Sequence, residues 1–415
     1  MMSIYNLSLK SLKNRRTTAC LTVFTVAISV LLLLAVERIR VQAKQSFANT
    51  ISNTDLIVGA RSGQVNLLLY SVFRIGNPTN NIAWDSYQQI IANPVVKWSI
   101  PISLGDSHRG FRVIGTNTDY FRFYQYGRKQ PLTFNAGKAF SGMFDTVIGS
   151  QVAKRLGYQL GSEIIIAHGI SDKKFNRHSN SPFVVTGILA PTGTPVDKSV
   201  HISLAAIEAI HAGGLLNSKV NLTHLNPQDY QPKQITAFLL GLTSKVKSFA
   251  LQRSINTYRT EPLSAIMPGI ALHELWGIMS IAEQALQGVA IFVVIAAMLA
   301  MLSNLLSSLQ ERRREMAILR GMGARPTHIF VLLISEASLL TTLGIITGIG
   351  LLYLILALLA PLASSEFGLN LALNMLTSSE WLLITTVQIS GIIIGFIPAF
   401  NAYRNSLADG MTIKV

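Results

Sequence analysis

The sequence predicts an α-helical membrane protein with four transmembrane helices and a large extracytoplasmic mixed α/β domain inserted between the first two. Three observations lead there. The 415-residue chain is 49% hydrophobic and only 13% charged, where soluble globular domains run near a quarter charged. It holds charge-free apolar runs long enough to cross a hydrocarbon core, which takes roughly 20 residues of helix. Between the first two runs, apolar residues instead alternate or recur at helical spacing over a long stretch.

Residues 1–16 read as a cytoplasmic amphipathic lead-in, rich in Lys10, Lys13, Arg15 and Arg16. The first span is 17–36, "TTACLTVFTVAISVLLLLAV". Its apolar core is long and "ERIRVQAKQSF" offers no small-residue cleavage site, so it reads as an uncleaved anchor rather than a signal peptide. Cys20, the single cysteine, lies within this span and leaves the following domain no disulfide to rely on.

Residues 37–275 form that domain, long enough for its own core and expected as two subdomains. "VVKWSIPI" (Val95 to Ile102), "FRVIGT" (Phe111 to Thr116), "EIIIAH" (Glu163 to His168), "FVVTGIL" (Phe183 to Leu189) and "ITAFLLGL" (Ile235 to Leu242) read as strands. "WDSYQQIIAN", "SQVAKRLGY", "SLAAIEAIHA" and "KVKSFALQRSIN" show helical spacing. The turn-rich stretches Ala190 to Ser199 and Asn217 to Gln234 are the expected exposed loops or subdomain junction. Most of the chain's net charge of +15 falls in this domain. A basic outer face is able to attract anionic lipid headgroups or an acidic partner, although a solvated surface is the simpler reading.

The remaining elements are a second span at 285–306, a cytoplasmic segment at 307–328, a third span at 329–359, a short outer loop at 360–380, a fourth span at 381–400 and a cytoplasmic tail at 401–415. Lys and Arg concentrate on the cytoplasmic side of short loops. The N-terminal basic cluster, the arginines of 307–328, and Arg404 and Lys414 of the tail all face one compartment on this pattern, while 360–380 has neither residue. The expected setting is therefore a bacterial inner membrane with both termini cytoplasmic.

Several chemistries are excluded. No G-x-x-x-x-G-K-[ST] occurs, so the chain has no phosphate cradle of that type for hydrolysing ATP. "GARSGQVN" near Gly59 lacks the lysine and is expected to lack the strand-turn-helix context. No G-x-S-x-G, H-E-x-x-H or paired-cysteine pattern appears, which argues against an enzyme. His108, His168, His178, His201, His211, His224 and His273 lie in the domain without recognised metal-ligand spacing, so no metal site is assigned.

The segment between spans two and three is unusual. After its basic cluster, Met316, Ile318, Leu319 and Met322 can form an apolar stripe on a short helix, with Gly321 and Gly323 near its end and Pro326 barring continuation. Arginines that merely set topology are the plain alternative. Gly344 and Gly348 in span three, and Gly391 and Gly395 in span four, make small-x-x-x-small faces that permit close helix approach in lipid, a feature consistent with pairing of two copies of the chain. Glu336 in span three must face protein or water and is read as packing toward the cytoplasmic arginines; Glu283 reads as an interface residue.

"ERRREMAILRGMGARPTHIF" resembles the cytoplasmic coupling segment of the FtsX-like and MacB-type permease family, with Glu311, Arg312, Arg313, Glu315, Ala317, Ile318, Leu319, Arg320, Gly323 and Ala324 in the matching places. "NLSLKSLKNRRTTACLTVFTVAISV", "VIGSQVAKRLGYQLGSEIIIAHG" with "FVVTGIL", and "IPAFNAYRNSLADG" resemble its lead-in, outer-domain core and closing tail. The resemblance implies the transmembrane subunit of a type VII ABC transporter, without a fused ATPase. ATP and Mg would be bound by a separate ATPase dimer, and a second permease copy or sibling would complete the assembly, with a periplasmic adaptor or binding protein as a further possible partner. Glu311 to Ala324, including Met316, would receive the push of the closing ATPase. Two other readings stand beside it: a transmembrane regulator that activates an extracytoplasmic partner, and a receptor or scaffold outside the ABC class. No nucleic-acid partner is implied, and the cargo is not legible.

Overall fold

The computed structural model describes residues 15–168, 182–211, 229–311, 321, 324–362 and 374–408. Helix α1 (Arg16–Ala48) comes first. Beyond Val36 the segment "ERIRVQAKQSFA" contains neither Gly nor Pro, so the helix runs on past the apolar run instead of ending with it.

The α/β unit spans Ala43 to Met279 in its main segment. Strand β1 (Leu56–Ala60) is followed by α2 (Gln64–Leu68), which runs straight into a one-turn π-helix at Leu69–Phe73. Then come β2 (Ile82–Ala83), α3 (Trp84–Ile91), β3 (Val96–His108), β4 (Phe111–Thr116), α4 (Asp119–Phe123), β5 (Gln125–Tyr126), β6 (Gln130–Pro131), β7 (Phe134–Gly137), β8 (Asp145–Ile148) and α5 (Ser150–Leu156). The order continues with β9 (Glu163–Ile164), β10 (Ala167–His168), β11 (Phe183–Leu189), β12 (Ser199–Ser203), α6 (Leu204–His211), β13 (Gln234–Ile235), β14 (Ala237–Leu242), α7 (Ser248–Asn256) and β15 (Leu263–Ile266).

One mixed sheet organises this unit, in the order β15-β1-β14-β3-β4-β12-β8-β11-β7, with β10 on β3 and β9 on β11. Strand β3 is the hinge of the pattern. Its residues from Val96 to Ile102 pair with β14, and those from Ser103 to His108 pair with β4. Two half-sheets thus share one strand. One core, containing Ile57, Ile100, Ile114, Val147 and Leu189, draws on both halves, while Phe238, Leu240 and Leu251 pack a separate core in the first half and Val152, Val185 and Ile202 in the second. Each such side chain contributes roughly 1.5–3 kcal/mol by leaving water, so the shared core ties the halves together. The two halves of the sheet meet inside β3. Ala190 to Ser199 holds a 3-10 turn at Pro195–Lys198 leading into β12, and most of Asn217 to Gln234 lies outside the described residues.

A second difference concerns "GARSGQVN". A strand-turn-helix does stand there, β1 leading to α2 with Gly63 at the helix start. All five residues of β1 are buried between β14 and β15, so no alternation marked it as a strand. Gly59 serves packing: a Cβ there would come within 2.5 Å of Leu67 and of the Tyr70 hydroxyl.

The helical unit contains α1 up to Gln42 together with α8 (Pro268–Glu311) from Ser280 onward, α9 (Pro326–Leu362) and α10 (Ser378–Ala408). Proline opens both α8 and α9, where its missing N–H costs no helix hydrogen bond. All four long helices are apolar and long enough to cross a membrane. Their outward positions are themselves apolar, as at Phe24, Phe292, Ile346, Leu358 and Ile393, while Val26, Val30, Met301, Leu340 and Val387 fill the interior. Four apolar helices with a large mixed α/β domain between the first and second is the architecture expected from the sequence.

Candidate functional site

Most of the expected coupling segment falls outside the described residues: Arg312, Arg313, Glu315, Met316, Ile318, Leu319, Arg320 and Gly323. Its two ends are described. Glu311 is the last residue of α8. Past Ala324, the Arg325 N–H donates to Nδ1 of His328 at 3.0 Å while the Arg325 carbonyl accepts from the His328 N–H at 2.9 Å. This reciprocal pair, with Pro326 in first position, starts α9 and satisfies a backbone donor that a helix beginning leaves open.

Helix α9 is the centre of the bundle. A Cβ on Gly344 would sit 2.5 Å from Val26 Cγ1, and one on Gly348 would lie 2.8 Å from the Ala27 carbonyl, so both glycines let α1 approach. On α10, a Cβ at Gly395 would meet Ala337 at 2.6 Å, and one at Gly391 would overlap Thr341. The four glycines expected at helix-packing faces are therefore occupied by helices of the same chain, and they no longer argue for a second copy.

Polar groups lace the same helices. Asn304 Nδ2 on α8 donates to Thr22 Oγ1 on α1 at 2.8 Å. Between α9 and α10, Gln388 Nε2 donates to Ser338 Oγ at 3.1 Å and Gln388 Oε1 accepts from Thr342 Oγ1 at 3.2 Å. In hydrocarbon these bonds have little competition from water. Glu336 is buried at 3% exposure, while four of the arginines it was expected to face, Arg312, Arg313, Arg314 and Arg320, lie outside the described residues.

A further knot joins α1, α9 and α10. Arg38, 5% exposed, holds Glu380, 1% exposed, through two bonds, Nε to Oε1 at 2.8 Å and Nη2 to Oε2 at 3.2 Å. The same guanidinium donates to the Asn374 carbonyl at 3.3 Å and lies 5.1 Å from the centre of the Tyr353 ring. Glu380 also accepts from the Thr377 N–H at 2.7 Å, and the Thr377 hydroxyl accepts in return from the Glu380 N–H. That exchange is a capping box, and it fixes where α10 starts. One carboxylate thus caps a helix and neutralises a buried cation from another.

Comparison with known proteins decides the class. Residues 19–257 match the model of the MacB-like periplasmic core domain, and residues 288–407 match that of the FtsX-like permease C-terminal region. The chain belongs to the FtsX/MacB-type permease family. Among solved structures, it is similar to the extracellular domain of the noncanonical ABC-type transporter YknZ from Gram-positive bacteria, at 13% identity and a TM-score of 0.31, covering 51% of this chain and 99% of that one. No curated protein matches the chain. Family membership makes it an ABC transporter permease, a multi-pass membrane protein whose working partner is an ABC ATPase.

In this permease two histidines, His108 and His201, serve the core. His108 contacts the Ile165 carbonyl at 2.6 Å and the Tyr158 hydroxyl at 2.9 Å. His201, fully buried, contacts the Val147 carbonyl at 3.2 Å. Among the described residues, no three His, Cys, Asp or Glu side chains gather as a metal site would require. The Arg38–Glu380 knot was missed because its members lie far apart in sequence. The one local signal was "TSSE", Thr377 to Glu380, a capping-box pattern directly before an apolar run.

Proposed function

We propose that this permease couples ATP hydrolysis by a separate ATPase subunit to movement of its α/β domain, driving export, extraction or transfer of a substrate at the far side of the membrane. The termini and residues 307–328 are cytoplasmic in this reading, and the chain itself performs no catalysis. Two permease chains and an ATPase dimer make the working unit.

The observation that carries the reading is α8. It starts two residues after β15 and runs without a break to Glu311, where the expected coupling segment begins. At 44 residues and 1.5 Å per residue, such a helix is about 66 Å long. From Ser280 onward α8 belongs to the helical unit, and there its backbone hydrogen bonds carry a push at Glu311 along the span. In the bundle, α8 is bonded to α1 and packs on α9 at Met301 and Thr341, so a push on α8 is shared by its neighbours.

Leu319→Asp tests this. A carboxylate on the apolar stripe should abolish stimulation of the partner ATPase by the permease while membrane insertion and expression stay normal. Undiminished coupled ATPase activity would refute the docking role of the segment. ATP-dependent release of a bound substrate from the wild-type complex, absent in the variant, would mark transport over pure regulation.

A further inference from the structure

A cavity of about 830 Å³ lies wholly within the α/β unit. Its size falls in the range of small-molecule sites, roughly 300–1,000 Å³. Among the described residues, five cationic side chains line it, Arg74, Arg109, Arg112, Arg155 and Lys198, and no lining residue is acidic. Apolar surface is interleaved with them at Phe47, Phe73, Ile75, Phe111 and Leu156. The acid in the lining loop, Asp197, is buried, with its carboxylate engaged by the Thr192 and Gly193 N–H groups at 2.8 Å each.

The cations come from separate elements, so the clustering is a product of the fold. Arg74 ends the π-helix, Arg109 and Arg112 flank the β3–β4 turn, Arg155 is in the last turn of α5, and Lys198 precedes β12. Two of them hold left-handed backbone, Arg74 at φ 61° and Arg109 at φ 46°. Glycine or asparagine meets that geometry at lower cost, so an arginine at both places argues for use of the side chain.

Arg74 and Arg112 both line the cavity. Arg112 is held toward the loop by Gly76, whose carbonyl accepts from Nη2 at 2.8 Å, and by Asn77 Oδ1, which accepts from Nη1 at 3.1 Å. Burial, and then the nearby charge of Arg74, lower the pKa of Arg112. Arg74 itself donates to the Ser71 carbonyl and lies beside the Tyr120 hydroxyl and His201, all neutral. Like charges brought together over apolar walls cost free energy that an anion entering the cavity would return.

We infer that this cavity binds an anionic amphiphile, a molecule with a phosphate or carboxylate head and an apolar body. The head is held by Arg74, Arg109 and Arg112, and the body lies along Phe73, Phe111 and Leu156. The site deepens the transport reading by naming a substrate class. Occupancy does not require the ATPase, so it is testable separately from coupling.

The test uses the full chain in nanodiscs of phosphatidylcholine, without ATPase or nucleotide. Two photoreactive short-chain probes with identical tails are compared, one with a phosphoglycerol head and one with a phosphocholine head, and cross-linked peptides are mapped. The phosphoglycerol probe should label the peptides carrying Arg74 and Arg109 to Arg112 at least about tenfold more strongly. Arg109→Glu with Arg155→Glu, both exposed positions at the cavity, should remove that preference. Unlabelled phosphatidylglycerol should displace the probe from wild type, a readout that stands even if the double variant misfolds. Equal labelling by both heads, or labelling indifferent to charge reversal in a folded variant, would overturn the inference. Displacement by inorganic phosphate as effective as that by the lipid would overturn the amphiphile assignment, because the apolar body would then contribute nothing. Failure here leaves the Leu319→Asp experiment unaffected.

Discussion

Glu380→Gln is the sharpest perturbation of the bundle, because glutamine keeps the shape of the side chain and is itself accepted in a capping box. What it removes is charge. Arg38 would remain 5% exposed and, among the described residues, would keep only neutral partners: the introduced amide, the Asn374 carbonyl, and the Tyr353 ring and hydroxyl. Leaving a buried cation without its counter-ion costs about 3–5 kcal/mol, whereas replacing both partners with neutral groups of similar volume is often close to neutral. Arg38→Met should therefore largely rescue Glu380→Gln, giving a coupling energy of at least about 2 kcal/mol in the double-mutant cycle. Pulse proteolysis of the detergent-solubilised full chain over a denaturant series measures the four stabilities. A cost below about 1 kcal/mol for Glu380→Gln, or a double variant whose loss equals the sum of the single losses, would refute the assignment of the knot as a desolvated ion pair.

The same bundle predicts unequal tolerance of its glycines: Gly391→Leu, aimed into Thr341, should cost about 3 kcal/mol or more, whereas Gly350→Leu, with open space around it, should leave thermal stability nearly unchanged. In the α/β unit, burial and the charge of Arg74 lower the pKa of His201 from 6.5 to about 3. The neutral ring is then favoured by folding, so its contribution is complete above pH 6.5 and is lost as pH falls toward 3. Between pH 7 and 5 that loss is about 2 kcal/mol, and His201→Phe, which can keep the ring packing on Tyr120 and Phe121, should show a stability–pH slope shallower by that amount in pulse proteolysis. Parallel slopes would rule out His201 as the titrating group. Asp197→Ala should loosen the loop from Thr192 to Lys198 by removing an acceptor shared by the Thr192 and Gly193 N–H groups, read as faster amide exchange of those residues with little change in β3.

The four long helices were legible because each carries its signal in consecutive residues, an apolar run long enough to cross a membrane. Strands β4 and β11 were also legible from consecutive residues. Strand β1 was not, since burial on both faces erased its alternation. Extended α1 was underestimated for a different reason. Apolarity marks where a helix meets lipid, while helix propensity decides where it ends, and "ERIRVQAKQSFA" keeps high propensity after hydrophobicity has gone.

The pairwise features follow another rule. Arg38 and Glu380 are 342 positions apart, and the five cavity cations come from four places on the chain; nothing in the local text of either set suggests a partner. The glycines make the distinction plainest. Their spacing correctly announced that something must approach closely, because only a missing Cβ permits α1 to lie against Gly344 and Gly348, but spacing carries no record of which helix approaches. Pairing between copies and packing within one chain demand the same small face. Steric need is written along one helix, whereas the identity of its occupant is a property of the folded arrangement, and that is why the contacts of α9 had to be seen before its glycines could be assigned.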